Sequence, residues 1–151
     1  WDAVCVRIAT WAKLQHKATG NIVMAVNTHY DHVGQVAQKE SSLLIIQKIK
    51  EIVGDQPAVL TGDFNVTDQS EAYNTIVSNE FVLLDAHKIA EKTAGPSYTY
   101  HGYDTVEMEK RSKIDFVFVT PQIKVKHSEV AQEVKDALLS DHNPQWTEIE
   151  F

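Results

Sequence analysis

The stretch Pro57-Ala58-Val59-Leu60-Thr61-Gly62-Asp63-Phe64-Asn65 decides how the rest of the chain is interpreted. Its first half, Pro57 to Leu60, is an apolar run typical of a buried strand, and a glycine, an acid and an amide follow it. Because α/β sheets bind ligands at the carboxyl ends of their strands, we expect Asp63 and Asn65 to face a cleft. Taken alone, the same residues are equally typical of a turn or a helix cap.

The segments before this stretch alternate between strand and helix patterns. Val4 to Leu14 has a period of two and Ile22 to Val26 is a short apolar run, so both are predicted strands, joined by a turn at residues 18–21. Gln35 to Val53 has apolar residues at helical spacing, and Gly54 supplies the stop. The order strand, helix, strand predicts a layered α/β architecture.

The second half of the chain adds a shorter helix and more strands. Ser70 to Val77 is a predicted helix with Ser70 as its cap, and the segment from Ala94 to Lys113 is an aromatic loop. The predicted strands are Phe81–Asp85, Ile114–Val119, Ile123–Val130 and Trp146–Ile149.

Composition indicates one globular domain and limits its function. The 151 residues are 43% hydrophobic and 23% charged, and no stretch approaches the roughly 20 apolar residues of a membrane span. The single cysteine, Cys5, excludes an internal disulfide and a cysteine-rich zinc site. A net charge of −7 argues against a domain that grips long duplex nucleic acid, and it favours an acidic cluster that binds a divalent cation.

Acids and imidazoles recur at the ends of other apolar segments. His29 follows the second predicted strand, and Asp115 begins an apolar run, where a buried carboxylate needs a histidine, a cation or a metal as partner. Asp141 and His142 are adjacent, so in an extended chain one can reach a metal while the other reaches substrate. A sheet that gathers these groups into one cleft forms a hydrolytic site.

These four segments together resemble the endonuclease/exonuclease/phosphatase superfamily of metal-dependent phosphoesterases, which includes nucleases, inositol polyphosphate phosphatases, neutral sphingomyelinases and deadenylases. Residues 7–11, 27–34 and 98–103 are similar to a bacterial and fungal branch that is often found in secreted or envelope proteins. The resemblance implies an α/β (α+β) fold: the C-terminal half of a four-layer α/β sandwich, with a mixed, mainly antiparallel sheet and helices on one face.

The resemblance also implies catalytic roles. His29 matches the histidine that contacts the scissile phosphate, Asp63 the aspartate that orients or deprotonates the attacking water, and Asn65 the amide that holds the phosphate oxygen and the nucleophile. Asp115 matches the carboxylate that fixes a catalytic histidine, and His142 matches that histidine.

The same resemblance implies the cofactor and the substrate class. Asp141 matches a metal ligand, and the cofactor is Mg²⁺ or Mn²⁺, since oxygen-rich sites favour these hard cations. The substrate is a phosphoester on a small molecule, a lipid head group or a nucleic acid. Four further residues are expected to contact it: Asp31, His32, Tyr100 and His101.

One departure from the family pattern concerns the length of the chain. In the family, an Asn and a Glu from the N-terminal half of the domain hold the metal, and no segment before Arg7 supplies them. Residues 1–151 are therefore expected to form the C-terminal portion of one domain whose N-terminal half is missing. We expect this portion to form one sheet and to leave a large apolar face of that sheet exposed. We also expect it to be inactive without the N-terminal half.

Two alternatives remain at the level of sequence. Residues 27–34 also resemble the His-x-His-x-Asp-His zinc motif of metallo-β-lactamase-type hydrolases, although Asn27 stands in place of its first histidine. The chain is also compatible with a non-catalytic binding module built on the same fold. Retention of the expected catalytic residue types argues against this module.

Overall fold

A computed structural model describes residues 1–79, 81, 83–132 and 139–151. No helix among these residues is long and apolar enough to cross a bilayer. The elements in chain order are β1 (Ala9–Gln15), β2 (Ile22–His29), α1 (Gln35–Val53), β3 (Ala58–Asp63), α2 (Glu71–Val77), β4 (Leu84–Asp85), α3 (Ala86–Ile89), β5 (Lys92–Ala94), a 3₁₀ helix (Met108–Lys110), β6 (Asp115–Val119), β7 (Lys124–Val130) and β8 (Gln145–Glu150).

The described strands form two mixed sheets. The larger has the order β1-β2-β3-β6-β4, in which only β2 and β3 are parallel, and the smaller has the order β5-β7-β8. The α/β class and the mainly antiparallel pairing are therefore confirmed, but the expectation of a single sheet is wrong. Strand β7 does not pair with β6, because it belongs to the other sheet. Val125 of β7 instead packs against Val117 and Val119 of β6 in a second apolar cluster.

Helix positions follow the sequence prediction more closely than strand positions. The bounds of α1 are those predicted, and α2 begins at Glu71 with the Ser70 hydroxyl accepting from the Tyr73 N–H at 3.0 Å. The first strand begins at Ala9 instead of Val4. In the predicted strand over residues 81–85, only Leu84–Asp85 is a strand, and Val82 lies outside the described residues.

The larger sheet buries one face under α1 and α2. In β2, β3 and β6 the even-numbered residues face these helices, because side chains alternate along a strand. Phe64, directly after β3, is fully buried and lies edge-on to Tyr30 and Phe118, with ring centroids 4.8 and 5.2 Å away. This core includes Met24, Val26, Ile45, Ile46, Ile49, Ala58, Leu60, Ile76, Phe116 and Phe118. The odd-numbered residues of these three strands face the other side, where the strand ends become polar.

Phe64→Ala is expected to lower the free energy of unfolding by about 3–5 kcal/mol, because it removes a buried ring and leaves a cavity. Leu44→Ala on α1 is the control. Leu44 is 45% exposed, so its truncation should change the free energy by no more than about 0.5 kcal/mol. Urea unfolding measures both. Equal effects of the two substitutions would contradict this description of the core.

Candidate active site

Strand register brings three of the expected catalytic residues into one row. His29 is the register partner of Asp63 across the parallel β2–β3 pair, and Asp63 is the partner of Asp115 across the antiparallel β3–β6 pair. Residues directly opposite on neighbouring strands share a face and have Cβ atoms about 5 Å apart. The three side chains therefore emerge together on the face opposite α1.

The Oδ2 atom of Asp63 is the point on which two imidazoles converge. Nε2 of His29 lies 3.3 Å from it, and Nε2 of His142 lies 3.9 Å from it. Asp115 fixes the orientation of His142, because the other ring nitrogen of His142, Nδ1, lies 2.7 Å from Oδ2 of Asp115. An ionised carboxylate only accepts hydrogen bonds, so Nδ1 carries the proton in this bond and Nε2 faces Asp63.

The other oxygen of Asp63 is anchored by the turn that follows β3. The Asn65 N–H donates to Oδ1 of Asp63 at 2.8 Å, and Asn65 itself has a left-handed φ of 51°. The Asn65 side chain is held in turn, because its Nδ2 donates to the carbonyl of Tyr30 at 3.0 Å. Asp63 thus presents Oδ2 to the cleft in a fixed orientation.

The pKa of Asp63 is raised above the ordinary aspartate value. Burial is the largest cause, and the negative charge of Asp115 adds to it. The Asn65 N–H and the two histidines oppose this rise without cancelling it. A carboxylate with a raised pKa is a stronger base than an exposed aspartate, as suits proton transfer near neutral pH.

An open cleft of about 390 Å³ is lined by Asp63, Asp115 and His142, whereas His29 is not among its lining residues. Its floor continues one step along the strands to Asn27 and Thr61, which are register partners and are joined by an Asn27 Nδ2 to Thr61 Oγ1 hydrogen bond of 2.9 Å. Sequence reasoning missed these two as site residues, although a period of two counted back from His29 and Asp63 reaches them. The remaining lining residues are Gly62, Phe116, Val117, Ser140, Asn143, Pro144 and Gln145.

Two of the expected substrate contacts lie in the aromatic loop. The Tyr100 ring stands edge-on to the His142 ring, with centroids 5.1 Å apart, so Tyr100 lies beside the site. His101 is 3% exposed, and its Nδ1 accepts from the Asp104 N–H at 3.2 Å. The ring of His101 is buried and supports the loop, and its expected contact with substrate stays a prediction.

Asp31 differs from the expected substrate contact. It is 2% exposed, and its carboxylate accepts from the N–H groups of Val4, Cys5, Val33 and Gly34. These bonds, with that of Gly34 first, hold the pKa of the Asp31 carboxyl well below its usual range. The carboxylate ties the N-terminal segment to the start of α1, which also explains why β1 begins only at Ala9.

His32 and Asp141 are the remaining expected site residues. The exposed His32 groups with Cys5 and Asp31. The carbonyl of Asp141 accepts from the His101 and Gly102 N–H groups at 3.0 and 3.1 Å, but its carboxylate does not belong to the cluster around Asp63.

Asp63, Asp115 and His142 form a cluster whose ligand atoms lie within 4.8 Å of one another. Mg²⁺ requires six ligands in near-octahedral geometry and prefers oxygen. The cluster offers two carboxylates, and one oxygen of Asp115 is already bonded to His142. These described residues fit part of the ligand set for such an ion.

Comparisons with known proteins find chains that are similar in sequence and in fold. The model of the Endonuclease/Exonuclease/phosphatase family matches residues 2–142. Among solved structures, an endonuclease/exonuclease/phosphatase from Bacteroides vulgatus is 63% identical over 99% of this chain, with a TM-score of 0.96. A mannosyl-6-phosphatase from Bacteroides thetaiotaomicron is 34% identical over 100% of it, with a TM-score of 0.89.

A third structure extends the similarity in fold alone. The human Nocturnin catalytic domain is 19% identical over 96% of this chain and 53% of its own, with a TM-score of 0.76. This chain covers 57% of the Bacteroides vulgatus protein and 60% of the mannosyl-6-phosphatase, less than two thirds of either. Among curated proteins no match to the chain is found.

Asp63→Asn is expected to raise the free energy of unfolding of the metal-free chain at pH 8. Because the folded-state pKa of Asp63 is raised, the unfolded chain loses this proton at lower pH, and the wild type is destabilised as pH rises through the folded-state pKa. Below the ordinary aspartate pKa of about 3.9 the gain should vanish. Urea unfolding with EDTA at several pH values measures it, with the exposed Asp55→Asn as control. A less stable Asp63→Asn variant at pH 8 would contradict the raised pKa.

Proposed function

Because the chain belongs to the endonuclease/exonuclease/phosphatase family, we propose that the protein hydrolyses a phosphoester bond by in-line attack of an activated water. The observation that carries the proposal is the convergence of two imidazoles on Oδ2 of Asp63, with Asp115 fixing the second imidazole. A base flanked by two hydrogen-bond donors matches what attack on a phosphorus atom requires.

In the proposed reaction Asp63 orients the water and accepts its proton as the oxygen–phosphorus bond forms. The bond to the leaving oxygen breaks, and that oxygen takes up a proton from solvent and departs as an alcohol. His29, through Nε2, and His142, protonated on both ring nitrogens, donate to the phosphoryl oxygens, where negative charge develops. Asp115 keeps the Nε2 of His142 aimed at the cleft. Asn65 holds the nucleophile or a phosphate oxygen through the part of its amide that Tyr30 leaves unbonded.

We include Mg²⁺ or Mn²⁺ in the proposal. When bound, such a cation neutralises charge on the phosphoryl oxygens. Carboxylate oxygens of the Asp63–Asp115–His142 cluster would supply part of its ligand set. Asp141 keeps the role that the family resemblance implies, as a ligand or as a residue that orders the metal's water shell.

The proposal includes a further N-terminal half that completes the site. The family match over residues 2–142 does not require one, whereas the chain spans only 57–60% of the two Bacteroides proteins. Exposed apolar side chains are the physical reason to propose this N-terminal half. Val6 and Ile8 are 97% and 72% exposed, and Leu14 on β1 is 50% exposed. Surface of this kind is typical of a face that another segment covers.

For the substrate, we favour the phosphate ester of a small polar alcohol such as a sugar. The 34% identical structure is named a mannosyl-6-phosphatase, and the net charge of −7 is unsuited to a long polyanion. Phosphoesters of lipid head groups and nucleic acids are the other substrate classes that the activity assay described below compares.

The metallo-β-lactamase-type alternative finds no support. Its motif would gather His29, Asp31 and His32 around zinc, whereas His29 contacts Asp63 and the four N–H bonds occupy Asp31. The binding-module alternative makes a different prediction, since a module on this fold has no turnover to lose.

Asp63→Asn is expected to reduce kcat by about 10²–10⁴-fold, because it removes the base while leaving an isosteric side chain. The substrates are a sugar phosphate, a phosphodiester, a lipid phosphoester and single-stranded DNA, tested with Mg²⁺ and with Mn²⁺. Asp55→Asn should change kcat by less than about twofold, because Asp55 is exposed beyond α1. Equal measurable rates of the wild type and Asp63→Asn would contradict the role of Asp63 as base, whereas a folded wild type that hydrolyses none of these substrates would support the binding module.

Removal of divalent cations by a chelator tests whether hydrolysis depends on a metal. Dialysis against EDTA should abolish hydrolysis, and Mg²⁺ or Mn²⁺ should restore it, whereas hydrolysis that persists without metal would contradict this part of the proposal.

The 151-residue chain alone is expected to be at least ~100-fold slower than the whole gene product, since the missing half supplies metal ligands. Equal rates, with both proteins folded by circular dichroism, would contradict the proposed missing half.

A further inference from the structure

We propose that Thr99 is a positioning residue that sets the geometry of the Asp115–His142 pair. Thr99 is fully buried, and it is absent from the lining of the cleft. It holds backbone groups next to both members of the pair. The expected effect on rate rests on the function proposed above, whereas the effect on the pair itself does not.

The side chain of Thr99 holds the segment that leads into Asp115. Its Oγ1 accepts from the N–H of Ile114 at 3.0 Å and from the N–H of Asp115 at 3.1 Å. A hydroxyl oxygen has two acceptor positions, so these bonds use both. The first residue of β6 is thus fixed at its backbone nitrogen, one bond away from the Cα that bears its side chain.

The main chain of Thr99 holds the segment that follows His142. The carbonyl of Thr99 accepts from the Asn143 N–H at 2.7 Å, and the next residue, Tyr100, forms an antiparallel bridge with His142. The N–H of Thr99 donates to the carbonyl of Ser112 at 3.0 Å. One buried residue therefore links two segments that are far apart in sequence, and the 2.7 Å contact between His142 and Asp115 spans them.

The same connection extends to the third element of the site. The carbonyl of Ile114 accepts from the N–H of Phe64 at 2.9 Å, and Phe64 lies between Asp63 and Asn65. A displacement of Ile114 would move that turn together with Asp115. We therefore expect loss of the Thr99 hydroxyl to affect the row of catalytic groups as a unit.

Thr99→Val tests the hydroxyl, because valine has nearly the same shape but accepts no hydrogen bond. Two backbone N–H groups would then lack their acceptor, and the start of β6 would shift to find another. Displacement of a catalytic group by about 1 Å reduces rate by about 100-fold. The expected result is a kcat lower by about 10–100-fold with a KM within about twofold of wild type. Thr99→Ser should restore kcat to within about threefold.

Thr120→Val is the matched control. Thr120 is also buried, and its Oγ1 accepts from the N–H of Ala58 at 2.9 Å, at the end of β6 opposite Asp115. Both substitutions remove a buried hydroxyl acceptor from a backbone N–H, so both should lower stability. Only Thr99→Val should lower kcat at a temperature where all variants are folded. Equal losses of kcat in the two variants would assign Thr99 a merely structural role and overturn the proposal.

A measurement without substrate separates this inference from the proposed function. The Nδ1 proton of His142, shared with Asp115, should give a downfield proton NMR signal that is lost in His142→Ala. We expect the signal to shift or vanish in Thr99→Val and to persist in Thr99→Ser and Thr120→Val, even if the protein hydrolyses nothing. An unchanged signal in Thr99→Val would overturn the proposal. If Thr99→Val does not fold, Thr99→Ser against Thr99→Ala makes the same comparison, because these two differ only in the hydroxyl.

Discussion

The pairing of β3 with its two neighbours, which places His29, Asp63 and Asp115 opposite one another, is the constraint on which the site depends. Two carboxylates directly opposite on adjacent strands repel each other. The repulsion is balanced by imidazoles, since His142 bonds to Asp115 and both histidines approach Asp63. A slip of one residue in either pairing would turn these groups to the helix face and replace them with apolar residues.

The arrangement that suits Asp63 for the proposed proton transfer also lowers the stability of the folded chain. Burial beside Asp115 holds Asp63 in a state that is less favourable when ionised, and such sites are where proteins trade stability for activity. Packing of the surrounding core offsets this loss of stability. Phe64, in the turn between Asp63 and Asn65, packs within a cluster of aromatic rings. Asp63 and Asn65 are therefore held by a turn that is packed into the core.

The sequence predicted that His29, Asp63 and Asp115 would come together at one cleft because strand ends and side-chain alternation are local properties, and their catalytic roles stay a prediction. The pattern around Asp63 sufficed to place Asp63 and Asn65 at the carboxyl end of a strand. The roles of Asp31 and His101 could not be predicted in this way. Each is satisfied by backbone N–H groups, and those of Val4 and Cys5 reach Asp31 from a distant segment that only the fold brings near. The second sheet was missed for a similar reason, since hydrophobic pattern does not state whether β7 pairs beside β6 or packs over it.

The proposed reaction requires that water activated at Asp63 attacks phosphorus. Hydrolysis of a phosphoester in water enriched with oxygen-18, under single-turnover conditions with the whole gene product and Mg²⁺, measures which bond breaks. We expect one labelled oxygen in the phosphate product and none in the alcohol. Label in the alcohol would show cleavage of the carbon–oxygen bond and would rule out attack of this water on phosphorus.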